Sequence, residues 1–328
     1  MQGPVTFLAN ARSGKQAKQI ESLLEPLVAA GLDPELRVIR KGKALPFEAR
    51  RARDRSATVI AAGGDGTITT VAEAVAGSQT AMGIVPLGTF NFFARSLGLP
   101  EDPAAAVAAL VTGDVASVDV AEVNGRLFLN NASLGLYPAL LHQREAAYAR
   151  FGRSRLAAYW SALRILCTYD RPSRLRITVD GHATHVRSPM VFLAQNAFQL
   201  DQYGMTEGAE LIRDGKLALY VAPELRRWRL LVFALKMALR QAQPYRDFTL
   251  EGAREVLVET RSPRRTIARD GEREKMTAPF HFRLRPDALR VIVPAGSALA
   301  APRAPSDSAS AAVAGPDRAV KTASGLAA

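Results

Sequence analysis

Two domains of different class are predicted by this sequence: an α/β domain on a doubly wound parallel sheet over residues 1–118, and an antiparallel β-sandwich with helical insertions over residues 119–296. Three observations predict them. Buried apolar runs alternate with amphipathic helical stretches through the first third of the chain. From Asp119 the runs shorten and are joined by Asn-Gly and Asp-Gly pairs, which signal hairpins. Finally, 328 residues with 48% apolar side chains can fill two cores, which excludes wholesale disorder.

The elements follow in order. Val5 to Ala9 is a short apolar strand ending in the turn-rich Asn10-Ala-Arg-Ser-Gly14. Ile20, Leu23, Leu24, Leu27 and Val28 recur three and four apart on one helical face, and Gly31 closes that helix. Leu36 to Ile39 is the next strand and Phe47 to Arg55 a polar helix. Ala57 to Ala62 runs as a strand into Gly63-Gly-Asp-Gly-Thr67, after which Ile68, Val71, Ala72 and Val75 mark a helical stripe. Met82 to Leu87 is a further buried strand, Gly88-Thr89 a turn, and Asn91 to Leu97 a short helix. In the second domain, Val118–Val123, Asn124-Gly125 and Arg126–Leu129 read as a hairpin, and Arg176–Val179 with Asp180-Gly181 opens another. Met190–Ala194, Leu217–Val221, Glu255–Val258 and residues 288–293 add strands, while residues 155–169 and 227–241 are helical interruptions. Residues 297–328, rich in Ala, Ser and Pro, carry no periodicity and read as a disordered tail.

The charge is unusual. Lys and Arg total 43 against 31 Asp and Glu, for a net charge of +12, so an anionic partner is expected: a nucleotide, an anionic membrane face or nucleic acid. One cysteine permits no intrachain disulfide and fits a reducing, cytoplasmic compartment. The N-terminal residues lack the basic and apolar regions of a signal peptide, and no run of about 18 uncharged apolar residues is long enough to span a bilayer.

Three glycine-bearing turns follow three N-terminal strands: Asn10 to Gly14, Gly63 to Thr67 and Gly88 to Asn91. Ligands of open α/β sheets bind at the carboxyl ends of strands, where glycines let the backbone approach and helix N-termini offer N–H groups to phosphate. Ser13, Thr67, Thr89 and Asn91 add small polar groups at that edge. Any one of these turns is also simply a tight strand-to-helix connection. Ser13-Gly14-Lys15-Gln16 is not a P-loop, because Ala9 and Gln16 stand where Gly and Ser/Thr are required. No Gly-x-Gly-x-x-Gly opens a helix, and protein-kinase signatures are absent.

Gly63-Gly-Asp-Gly-Thr67, followed by Pro86-Leu-Gly-Thr-Phe-Asn-Phe-Phe-Ala-Arg95, resembles the diacylglycerol kinase catalytic family, which includes bacterial soluble lipid kinases and sphingosine kinases and is distantly similar to NAD kinases and phosphofructokinases. Asn10–Gly14 is similar to the family's first nucleotide loop, and Asp119, Asp214-Gly215-Lys216-Leu217 and Asp270-Gly271-Glu272 match later positions in order. The resemblance spans residues 4–295 and implies ATP bound between the two domains and Mg²⁺-dependent phosphorylation of a lipid hydroxyl, with diacylglycerol the leading acceptor. It implies a nucleotide site at Asn10, Ser13, Gly14, Gly63, Gly64, Asp65, Gly66, Thr67, Gly88, Thr89 and Asn91. Asp65 would face the metal-bound triphosphate, Asp119 would join its network through water, and Asp214 with Leu217 would form a second, structural metal site. Glu272, or second to it Asp270, would be the general base. Asp-Gly is also an ordinary turn, so each carboxylate has that alternative. A catalytically silent nucleotide- or lipid-binding protein, or a kinase for a sphingoid or soluble substrate, are the competing readings.

Phe92 departs from the pattern, since an Asp often follows the Asn of that turn, and a ring cannot replace a carboxylate. Arg269 stands where an apolar residue is commoner, and Ala11 replaces a Pro. Residues 156–167 and 228–239 are apolar segments with Trp160, Trp228 and basic flanks, suited either to an interfacial membrane contact or to packing on the β domain. The partners implied are therefore ATP, a lipid and an anionic membrane surface, at the inner membrane face. A homodimer is compatible with this; nucleic acid is not expected, because no nucleic-acid-binding motif accompanies the dispersed positive charge.

Overall fold

The computed structural model describes residues 3–10, 20–136, 172–224 and 248–301. The N-terminal half begins with β1 (Val5–Asn10), a single-turn 3₁₀ segment at Ser22–Leu24, α1 (Glu25–Ala29), β2 (Pro34–Ile39) and α2 (Leu45–Arg53). It continues with β3 (Thr58–Gly63), α3 (Asp65–Val75), β4 (Ala81–Pro86), α4 (Phe92–Ser96) and α5 (Pro103–Thr112). The strands pair in parallel in the order β2-β1-β3-β4. Every residue of β3 and β4 is buried, as it must be when helices cover both faces. Here α2 packs on α3 and α1 on α5, which supplies the two layers.

Strand order reverses between β1 and β3, because the chain leaves β1 for β2 on one side and returns to β3 on the other. This switch point opens a crevice at the carboxyl ends of β1 and β3. Asn10 ends one of these strands and Gly63 the other.

The second half contains β5 (Asp114–Val123), β6 (Arg126–Phe128), β7 (Asn131–Gly135), β8 (Ser173–Val179), β9 (His182–Ser188) and β10 (Met190–Ala194). Two helices, α6 (Ala197–Gln202) and α7 (Thr206–Arg213), precede β11 (Leu217–Val221). The chain then forms β12 (Thr249–Ala253), β13 (Glu255–Thr260), β14 (Arg264–Arg269), β15 (Glu272–Thr277) and β16 (Phe280–Val293). One sheet of the sandwich runs β12-β11-β10-β7-β14-β15, and all its pairings are antiparallel. Phe128, Phe280 and Phe282 are fully buried between the sheets with Leu193, Val256 and Ile267. Each such side chain contributes roughly 1.5–3 kcal/mol on leaving water.

The other sheet does not stop at the domain boundary. β16 pairs antiparallel with β13 and β5 in the sandwich and touches β4 in parallel at Val291–Met82, so one ten-stranded sheet threads both halves. β16 serves both by bending, with a register shift between Arg285 and Leu289 against β5. The Asp119 carboxylate accepts the Asp287 N–H at 3.0 Å in this bend. Asp287 has φ +50°, a left-handed conformation an Asp tolerates better than most residues.

Candidate active site

The switch-point crevice is occupied by the Gly63–Thr67 turn and the first turn of α3. Gly64 caps this helix without any side-chain hydrogen bond, so no capping side chain occupies the end of the helix that favours an anion. Asn10 at the end of β1 donates from Nδ2 to Thr67 Oγ1 at 2.8 Å, tying the two strand ends together. The glycines are there because the chain is crowded. A Cβ on Gly88 would stand 2.7 Å from the Gly64 Cα, and one on Gly63 would strike the Thr67 side chain at 2.5 Å. A Cβ on Gly66 would lie 2.7 Å from Glu272 Oε1, so the Glu272 carboxylate rests against the turn next to Asp65.

A cleft of about 940 Å³ opens in front of these residues. Its floor is Asn10, Gly64, Asp65, Gly66 and Thr67; Lys43, Arg50 and Arg53 line one side, and Arg126, Arg269 and Glu272 come from the second half of the chain. The two halves therefore meet across this space. Five cationic side chains around one cavity suit a polyanion.

Asp65 bridges two of the three turns. Its Oδ2 accepts the Asn91 N–H and its Oδ1 the Phe92 N–H, each at 3.0 Å. Burial pushes the Asp65 carboxyl above its ordinary value, the like charge of Asp270 adds to this, and the backbone donors oppose it. A carboxylate has about four lone-pair sites, so it can accept these bonds and still meet a cation in the cleft.

Other expected site residues serve as scaffold. Asn91 is buried and left-handed, with φ +49°; its Oδ1 accepts the Gly88 N–H at 3.0 Å while its Nδ2 donates to the Gly88 carbonyl at 3.1 Å. Its side chain thus closes its own turn and does not line the cleft, and Thr89 is exposed beside it. Asp270 is half-buried, and donors surround its carboxylate. Its carboxylate accepts the N–H groups of Leu129, Asn130 and Asn131 at 2.9, 2.8 and 3.1 Å and the Thr69 hydroxyl at 2.8 Å. With four donors aimed at it, Asp270 has no opening toward a substrate hydroxyl, and of the two expected bases only Glu272 faces the cleft.

Asp119 holds the β16 bend and is not among the described residues lining the cleft. Asp214 ends α7, where Gly215 takes φ +72° and Lys216 N–H bonds to the Leu211 carbonyl, and Leu217 is buried in β11. That is a helix-ending turn. Among the described residues no three His, Cys, Asp or Glu side chains converge as a metal cage. Ser13, Gly14, Trp160, Trp228 and both apolar basic segments lie outside the described residues.

Phe92 contributes its amide to Asp65, while its ring stacks on Phe90 at 5.5 Å and lies 6.2 Å from Tyr203. Sequence reasoning missed Lys43, Arg50, Arg53, Glu73 and Arg126. Only the position of Arg126, directly after the Asn124-Gly125 turn, carried any signal.

Residues 4–123 match the diacylglycerol kinase catalytic domain, and residues 139–293 match the YegS C-terminal NAD kinase beta sandwich-like domain. A Klebsiella pneumoniae (strain 342) protein named "Probable lipid kinase YegS-like" is 39% identical over 136 residues, 40% of this chain and 46% of its own length. A "Diacylglycerol kinase" of Bacillus subtilis (strain 168) is 30% identical over 181 residues, 53% of this chain and 59% of its own. The chain thus spans about half the length of these curated relatives. Two solved structures from Bacillus anthracis str. Sterne share the fold. One has a TM-score of 0.70 at 20% identity, covering 90% of this chain and 100% of its own; the other, of a diacylglycerol kinase, has 0.62 at 18%, covering 89% and 98%.

Proposed function

We propose, from the premise that the chain belongs to the diacylglycerol kinase catalytic-domain family, that it transfers the γ-phosphoryl group of ATP to a lipid hydroxyl, with diacylglycerol the first acceptor to test and phosphatidic acid the product. The observation that carries this reading is Glu272 resting on the Gly66 backbone beside Asp65, at the rim of a cationic cleft of about 940 Å³.

The residues suit the reaction. The α3 N-terminus, which no capping side chain occupies, binds phosphate oxygens, and the Lys43, Arg50 and Arg53 side chains balance the triphosphate charge. Glu272 takes the proton of the attacking hydroxyl as its oxygen bonds to the γ-phosphorus and the bond to the ADP oxygen breaks. Asp65 fits Mg²⁺, which favours one or two carboxylates plus substrate phosphates over a closed protein cage. When bound, the ion neutralises charge on the transferring phosphoryl oxygens.

The net charge of +12 supports a peripheral contact with an anionic membrane surface. No helix among the described residues is long and apolar enough to cross a membrane.

The test is transfer of labelled γ-phosphate from ATP-Mg to lipids in mixed micelles. Labelled phosphatidic acid is expected, with Asp65→Asn lowering turnover by roughly 10²–10³ and leaving the fold intact. A parent protein silent on diacylglycerol, sphingoid bases and soluble acceptors alike overturns the reading. Phe92, in place of an acid, favours a second one, a catalytically silent nucleotide- and lipid-binding protein. That protein would be stabilised against heat by ATP-Mg without any transfer.

A further inference from the structure

Glu73, Arg126 and Arg269 line the cleft and Glu274 pairs with the two arginines, and the reaction above does not use these four side chains. Glu73 lies on α3, two turns beyond Asp65, and Arg126 opens β6. Arg269 and Glu274 flank Glu272 on the β14–β15 hairpin, where Arg269 pairs directly with Glu272 across the Asp270-Gly271 turn. Arg126 Nε donates to Glu73 Oε1 at 2.6 Å and its Nη1 to Glu274 Oε1 at 2.7 Å. Arg269 faces the same two carboxylates from the other side, at 3.7 Å from Glu73 and 3.6 Å from Glu274. It is only 8% exposed, and its Nη1 also donates to the Leu127 carbonyl.

Two cations and two anions thus alternate around a square. Glu73 belongs to the helix that carries Asp65, Arg269 and Glu274 to the hairpin that carries Glu272, and Arg126 of β6 joins them. We propose, on the reading of this cleft as a kinase site, that Glu73, Arg126, Arg269 and Glu274 form an ionic clamp across the domain boundary, and that as positioning residues they hold Glu272 at its working separation from Asp65.

Three physical points support the clamp. Exposed ion pairs are worth little. A guanidinium buried as deeply as Arg269, however, is tolerated only where carboxylates and acceptors surround it, so this square is a defined arrangement. The Glu73 hydrogen bond also holds Arg126 more firmly protonated than a free arginine, so its cationic corner persists at any working pH. The clamp is needed because α3 and the hairpin share few other polar ties: among the described residues, Thr69 to Asp270 joins them at 2.8 Å. A misplacement on the order of 1 Å at a reacting group can cost about 100-fold in rate.

The experiment uses the full chain, with Glu73→Gln and the exchanged pair Glu73→Arg/Arg126→Glu. Amide hydrogen exchange of residues 269–274 is measured without any ligand, and kcat and KM for ATP are measured on diacylglycerol micelles. Glu73→Gln is expected to speed hairpin exchange and lower kcat by about tenfold each, with KM for ATP changed by less than about twofold. The exchanged pair should regain most of both losses, which a purely structural or phosphate-binding role would not produce. Unchanged exchange in Glu73→Gln overturns the clamp. So does a loss confined to KM for ATP, or a kcat equal to the parent's while Asp65→Asn is silent; in that last case the kinase reading survives. Should the parent transfer no phosphate, the exchange measurement still decides the clamp and only the kinase reading falls.

Discussion

Asp65-Gly66 and Asp270-Gly271 are the same dipeptide in two regions of the molecule, and the fold uses them in opposite ways. Asp65 follows a parallel strand at the switch point; two N–H groups from the neighbouring turn bond to it and a cleft opens in front. Asp270 sits at a two-residue hairpin turn with φ +47°, and four donors from the β6–β7 connection, β7 and α3 surround it. One carboxylate retains lone pairs facing a space large enough for a nucleotide, and the other is saturated inside the protein. A carboxylate at a turn becomes a reactive group only where its surroundings leave part of it unsatisfied and accessible.

That contrast can be broken or sharpened by mutation. The largest expected effect is on stability. Asp270→Ala strands three buried N–H groups, each at roughly 1–3 kcal/mol, so urea unfolding should show a loss of about 4 kcal/mol or more. A loss below about 1 kcal/mol would mean that Asp270 is no more structural than Asp65. Asp65→Asn should do the reverse, removing about 3–4 kcal/mol of transition-state stabilisation while its urea midpoint changes little.

Gly66→Ala comes next, with an expected tenfold loss of kcat. The new Cβ meets only the end of the Glu272 side chain, which can swing aside and lose its position. A variant as fast as the parent would remove Glu272 from the mechanism.

The smallest effect is a shift in pH dependence. Asp65 must be ionised to meet a metal-bound nucleotide, and burial raises its pKa from the usual 3.8. The acid limb of kcat/KM, which falls as pH decreases through the folded value, should therefore lie above 3.8. The stability sign is opposite to that of a salt-bridged aspartate. Between 3.8 and the raised value the folded chain holds a proton the unfolded chain has lost, so stability falls as pH rises through that window, and Asp65→Asn should flatten the slope.

Much of the fold was legible because its signals are local. The fully buried β3 and β4, the α3 stripe and the Asn124-Gly125 hairpin all stand where apolar period and turn chemistry put them. The failures have physical causes as well. α5 reads Pro-Ala-Ala-Ala-Val-Ala-Ala-Leu-Val-Thr, apolar nearly all round, so no stripe marks it as a helix. β15 reads Glu-Arg-Glu-Lys-Met-Thr, with one apolar residue among six, and its pairing with β14 makes it a strand. In the site, the Gly63–Thr67 turn could be found from the sequence, but the arginines and Glu73 around it could not. Glu73 and Arg126 are 53 residues apart in the chain, and Arg126 and Glu274 are 148 apart.

The sequence alone determined the parallel strands of the first half, the glycine turns at their ends and the excess of positive charge. Each depends on residues only a few positions apart, or on simple addition. The tertiary structure decided which aspartate faces the cleft, which asparagine closes its own turn, and that Asp119 holds a bend. Those outcomes are set by donors and acceptors brought together from distant parts of the chain, and by whether a neighbouring element leaves a polar group any room for a ligand.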